Sequence, residues 1–446
     1  MENCTKKLIN YKFLPVPIEV YERECGHKIV FAHKEGGLIN ISTWVKTGSI
    51  NENDENNGIS HFLEHLMFKG TSKYKAGYFD KTLEAKGAIV NAATWKDYTF
   101  YYVTLPKGPN NEYFNCALDL HADMMSDPVI PPEEIGEPFD FDKDKPEIKR
   151  ERHVVIEEIR MRKDQPWTTA YNQCNHAMYQ KHPYKRDVIG TPQIVASLKR
   201  EDILGYYKKY YAPNNMTTIV VGDFNHEETL EKLLKLFDFS NREKVEKNIY
   251  PIDEPTQSTK IVECEADVNT SFIIYGYLCP QAKDLKSTIM LEIISMILGE
   301  GQSSRLNQNL IEKASNPIFN ALATDYYTFR DGGNFFIDAG LRSGFENRAI
   351  ELINEEIKKI SEYISDEEFL KAKKKLKVNF ARDAETVSDI ADTIGYYMTV
   401  CDDLDLMANY MDVLNSVSKQ EVLNCANKFL NVNNAVISIL KPKKGK

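Results

Sequence analysis

Five consecutive residues, His61-Phe62-Leu63-Glu64-His65, constrain this chain more than any other stretch. Positions i and i+4 of a helix share a face, and i+3 lies beside them. A helix here aims two imidazoles at one point with a carboxylate adjacent. Imidazoles at that spacing suit one Zn2+ ion, and Glu64 is then placed as general base to a water activated by the metal. Such a pentapeptide arises by chance in on the order of one chain in a hundred. The reading therefore needs a helix, a third ligand and a fold that joins them.

The helix is well signalled. Ile59, Phe62, Leu63 and Leu66 form an apolar stripe, and Gly70 reads as a C-terminal cap. For the third ligand, zinc sites that do chemistry keep three protein ligands and one open position. The other histidines, at 27, 33, 121, 153, 176, 182 and 226, are isolated, and His121 reads as a packed core histidine. A long helix beginning at about Glu147 offers Glu151, Glu157 and Glu158. Glu151 and Glu158 share a face, whereas Glu157 is rotated by about 100°. Val154, Val155 and Ile159 bracket Glu158 and turn its side inward, where a carboxylate needs a partner such as a metal.

At 446 residues the chain is too long for one core. Its 42% hydrophobic and 27% charged composition is that of an ordinary soluble protein, and a formal charge of -10 argues against nucleic-acid binding. Eight scattered cysteines without a Cys-x-x-Cys pair read as reduced thiols. The first 22 residues show no secretory or transit pattern, and no apolar run is long enough for a membrane span. The expected location is cytoplasmic, with an organellar matrix or periplasm as the alternative if a leader was removed.

Strand, helix and turn signals divide the chain into residues 1–240, a polar Pro-containing linker at 241–258, and residues 259–446. Both halves read strand-strand-helix, strands, helices, strand, an internal repeat of architecture. The expected fold class is α+β, two similar domains, each a mainly antiparallel sheet packed against helices. Residues 127–148, rich in proline and acid, read as an irregular insertion.

The surrounding text resembles the pitrilysin/insulinase family of zinc metallopeptidases, the inverzincins. It is similar above all to the short two-domain type represented by the mitochondrial processing peptidase β subunit and its bacterial relatives. The matching residues are Gly58 to Thr71, Asn91-Ala92-Ala93-Thr94, Asp97-Tyr98-Thr99, Tyr101-Tyr102, Glu151 with Val154 to Ile159, His182-Pro183-Tyr184, Gly190-Thr191-Pro192, Tyr211 to Met216 and Val220 to Asp223. The second half resembles the family in layout and in Leu298 to Leu306. The resemblance implies one Zn2+ per chain held by His61, His65 and Glu158. It makes Glu64 the catalytic base and Glu151 the carboxylate that orients a ligand. Asn91, Ala92 and Thr94 would lie on an edge strand that pairs with an extended peptide. It also implies that the chain forms half of a clamshell chamber.

One departure limits this reading. The family's Arg and Tyr that grip substrate fall here on Ile311 and Ile318, which cannot donate a hydrogen bond. The resemblance then implies a zinc endopeptidase of unfolded peptides that works as the metal-bearing subunit of a dimer. A paralogous partner would supply the missing pair. The alternative is a non-catalytic peptide-binding or assembly subunit; a non-peptidase zinc hydrolase is a third and weaker reading.

Overall fold

The computed structural model describes residues 4–144, 150–239 and 242–443. Seven strands form the first sheet: β1 (Cys4–Ile9), β2 (Ile18–Arg23), β3 (Lys28–His33), β4 (Leu38–Val45), β5 (Ile89–Thr94), β6 (Thr99–Pro106) and β7 (Met216–Gly222). Their order is β1-β2-β3-β7-β4-β6-β5, with β5 at one edge. Five strands form the second: β8 (Lys260–Ala266), β9 (Ser271–Cys279), β10 (Phe319–Thr328), β11 (Gly333–Leu341) and β12 (Val436–Pro442), ordered β8-β12-β9-β11-β10.

The two sheets repeat one topology. The run β3-β7-β4-β6-β5 matches β8-β12-β9-β11-β10 strand for strand. In each, the first pair is parallel and the others are antiparallel. The mixed α/β architecture of two sheets packed against helices agrees with the expected fold class.

The domain division differs from the expected linear cut. One compact unit comprises residues 4–144, 150–160, 187–239, 242–249 and 381–408; the other comprises 161–186, 250–380 and 409–443. The helix Val387–Thr399 packs on β4 and β7 of the first sheet, and the helix Pro166–Met178 packs on β8, β9 and β12 of the second. Side-chain alternation explains the first docking. Ile39, Ile41 and Val45 of β4 join the apolar core, while Asn40, Ser42 and Trp44 point the other way and are also buried. That second face needs a polar-tolerant cover, and Ser388 of the incoming helix bonds Thr104 at 2.9 Å.

Smaller differences have local causes. The helix Pro166–Met178 starts at Pro166, which occupies its first position, where the missing N–H costs nothing. The strand β1 and the helix Asp405–Ser416 were not anticipated. In the insertion, the short helix Pro132–Ile135 is present, residues 145–149 lie outside the described residues, and so does the expected helix start at Glu147. The described helix is Glu151–Lys163. All eight cysteines are free, and among the described residues no helix is long and apolar enough to cross a membrane.

A buried polar chain crosses the centre of the first sheet. His27 Nε2 lies 3.0 Å from Thr218 Oγ1, Thr218 lies 3.2 Å from Thr43, and Thr43 lies 2.9 Å from His121 Nε2. Burial lowers both histidines to about 3, helped at His27 by the Arg23 charge. Because the folded value lies below the unfolded 6.5, the unfolded chain binds more protons as pH falls through that window. Stability is full above the unfolded value and is lost toward acid. Between pH 7 and 5 the wild type should lose about 2 kcal/mol more unfolding free energy than a His121→Gln variant. Urea denaturation at the two pH values measures it, and equal losses would remove His121 from this account.

Candidate metal centre

The helix Ile59–Met67 is built into the first unit from its N-terminal end. Glu52, almost fully buried, accepts from Asn57 Nδ2 at 2.7 Å, Gly58 N at 2.8 Å and Ser60 N at 2.9 Å. Gly58 N and Ser60 N are backbone donors at the helix start, and a carboxylate there also meets the positive end of the dipole. Burial pushes the Glu52 carboxyl up from its ordinary value, and the hydrogen bonds from Ser60, Gly58 and Asn57 oppose that shift. Gly58 has φ 98°, and a Cβ on it would stand 2.7 Å from the Ile189 carbonyl oxygen, so only glycine fits the turn. Removing the cap leaves buried donors unpaired. Glu52→Ala should lower unfolding free energy by about 2–3 kcal/mol in urea denaturation; a loss below about 0.5 kcal/mol would contradict that role.

On this helix Phe62, Leu63 and Leu66 face the core, and His61 and His65 emerge together with ring centroids 4.8 Å apart. The helix Glu151–Lys163 brings its carboxylates opposite. His61 Nε2 and His65 Nε2 each lie 3.5 Å from Glu158 Oε2. Ligand atoms about 2.1 Å from a tetrahedral zinc stand about 3.4 Å apart. The spacing fits three donors around a small cation better than direct hydrogen bonds. Among the described residues these three form the one cluster of His, Cys, Asp or Glu groups suited to a metal.

Glu151 sits behind His65. Its Oε1 lies 2.8 Å from His65 Nδ1, and its Oε2 lies 2.6 Å from Lys69 Nζ. The carboxylate accepts from Nδ1–H, so Nε2 is left as the atom that faces Glu158. Burial lowers the His65 pKa, but the bond to Glu151 and the nearby Glu158 carboxylate outweigh it and push the imidazole up to about 9. Glu151 moves down: burial raises its pKa, and the bonds to His65 and Lys69 more than reverse that. A bound metal would displace the proton that those carboxylates favour.

Arg152 anchors the second helix from its opposite side. It is fully buried and donates to the carbonyls of Ala196, Leu198 at 2.7 Å and Gly136 at 3.2 Å. Val155, Ile156 and Ile159 are buried, whereas Val154 is 52% exposed. The expectation that Val154 turns inward is thereby corrected. It flanks the Glu151–Glu158 line on the solvent side, whereas Val155 flanks it on the packed side. Glu157 is exposed and pairs with Arg160.

Glu64 is buried and accepts from Thr94 Oγ1 at 2.5 Å. The strand β5 lies beside the helix, its outer edge without a strand partner among the described residues, and Asn91 and Ala93 are exposed. Ala92 N donates to the Asn91 side chain at 2.9 Å. The side chain of Thr94 thus turns to Glu64, away from the exposed set. Ile318 is buried and Ile311 half-buried in the second unit. Lys69 and Arg152 escaped the sequence reading because each acts on a segment distant in sequence, Lys69 on Glu151 and Arg152 on the carbonyls of Ala196 and Leu198. Only the acid six residues before Gly58 offered a capping signal.

Comparison with known proteins fits this geometry. Residues 28–192 match the model of the insulinase family, peptidase family M16, and residues 197–376 match the peptidase M16 inactive domain. The chain belongs to the M16 peptidase family. It is 29% identical over 418 residues to the zinc protease PqqE of Helicobacter pylori, covering 91% of this chain and 88% of that one. It is 24% identical over 410 residues to a probable mitochondrial-processing peptidase subunit beta of Arabidopsis thaliana, covering 90% and 74%. The crystal structure of a protease from Helicobacter pylori superposes with a TM-score of 0.82 at 25% identity, over 98% of this chain and 100% of that one. The motif-bearing half thus matches the family's peptidase model, and the half without candidate ligands matches its inactive one.

Proposed function

We propose that this M16 member is a zinc endopeptidase of unfolded peptides, with one Zn2+ held by His61, His65 and Glu158. The observation that carries the reading is the approach of both imidazoles to one Glu158 oxygen at 3.5 Å, with Glu64 alongside. Zinc, when bound there, supplies Lewis acidity and lowers the pKa of a water. Glu64 would take the proton from the attacking water and return it to the leaving amine. Glu151 and Lys69 keep His65 in one tautomer and orientation. The open edge of β5, with Asn91 and Ala92, would receive the substrate backbone as an added strand.

The proposal includes a partner. Ile311 and Ile318 offer no donor to a developing oxyanion, so the chain would act as the metal-bearing subunit of a dimer, half of a clamshell. The relative named a subunit of a processing peptidase supports that arrangement. The same two isoleucines favour the alternative of a non-catalytic peptide-binding or assembly subunit, which the intact metal cluster opposes.

Glu64→Gln should keep one zinc per chain by atomic absorption and lose about a thousandfold in peptide hydrolysis. Retained turnover would refute the assignment of the base. Hydrolysis that appears only on mixing with the paralogous chain supports the dimer. Zinc-dependent hydrolysis in neither sample selects the binding subunit.

A further inference from the structure

Thr94 closes β5 and is paired in register with Thr99 of β6. Strand side chains alternate. Ile89, Asn91 and Ala93 are exposed, and Val90, Ala92 and Thr94 are partly buried toward the other side. The Thr94 hydroxyl lies 2.5 Å from Glu64 Oε2. On its far side the Thr99 hydroxyl stands 3.4 Å away and also reaches the Thr47 carbonyl at 3.0 Å. A carboxylate accepts, so the threonine donates.

We propose that Thr94 is a positioning residue for Glu64, holding one oxygen of the base from the very strand along which a peptide would be laid. The consequence for turnover rests on the peptidase reading above. A glutamate has three side-chain torsions, and a bond to one oxygen means that rotation costs that bond. The hydroxyl sits on a paired strand rather than a loop, so its own position is set by β6 and Thr99. Base and substrate backbone then share one rigid element, and peptide bound in register on β5 is delivered to a base already aimed. Thr94 would therefore govern the chemical step and leave peptide affinity to the strand's backbone groups.

The test uses Thr94→Val, which keeps the β-branched shape and removes the donor, and Thr94→Ser, which keeps the donor. Each is assayed as the zinc-loaded chain, with its partner where turnover needs one, on an unfolded peptide. Thr94→Val should lose about 10–100-fold in kcat with KM and zinc content within about twofold of wild type, and Thr94→Ser should restore kcat to within about threefold. Crystal structures give a second readout: Glu64 in one rotamer in wild type and Thr94→Ser, and in several in Thr94→Val. Unchanged kcat in Thr94→Val, a KM rise that accounts for the loss, or a single Glu64 rotamer in all three would overturn the inference. The rotamers decide the role of Thr94 without any turnover, whereas wild-type turnover decides the peptidase reading.

Discussion

The bond between His65 and Glu151, 2.8 Å long, is the constraint on which the site depends. It joins two helices separated by 86 positions and fixes which imidazole nitrogen faces Glu158. Without it, His65 could rotate or carry its proton on the wrong nitrogen, and three donors would not converge. Lys69 holds the other Glu151 oxygen, and buried Arg152 pins the helix backbone from behind. The histidine helix is held at its start by Glu52. Groups that would touch a metal are thus each supported by a buried charge with several partners. Such charges are costly to bury alone and rigid once paired.

Much of this was legible in the sequence, for local reasons. The spacing of His61 and His65 decides their shared face whatever the rest of the chain does, and Phe62, Leu63 and Leu66 decide which way that face turns. Most strand positions followed from period-two alternation between glycines. The repeat of five-strand topology showed through the order of elements even where residues differ. Helix docking was not legible. Val387–Thr399 and Pro166–Met178 have apolar stripes that any complementary face could cover, so their packing on the other half's sheet follows from three-dimensional fit. Val154 differs from expectation for a related reason: two adjacent valines flank the line of acids, and only the packing of the rest of the chain decides that Val155 turns to the core and Val154 to solvent.

Internal duplication gives the division of labour a physical form. Both units use the same strand order, but only the first has histidines and carboxylates placed to meet beside an edge strand, among the described residues. The second keeps the architecture, with isoleucines where gripping side chains are expected. A sheet scaffold tolerates such loss, because its stability lies in the core and its chemistry in a few side chains grafted on it.

The central claim is that His61, His65 and Glu158 hold one zinc ion. Anomalous diffraction at the zinc edge, on crystals of the zinc-loaded chain, tests it most directly. The account predicts a single strong peak about 2.0–2.2 Å from both Nε2 atoms and from a Glu158 oxygen. A peak bound elsewhere, or none between these three side chains at full zinc loading, would contradict it.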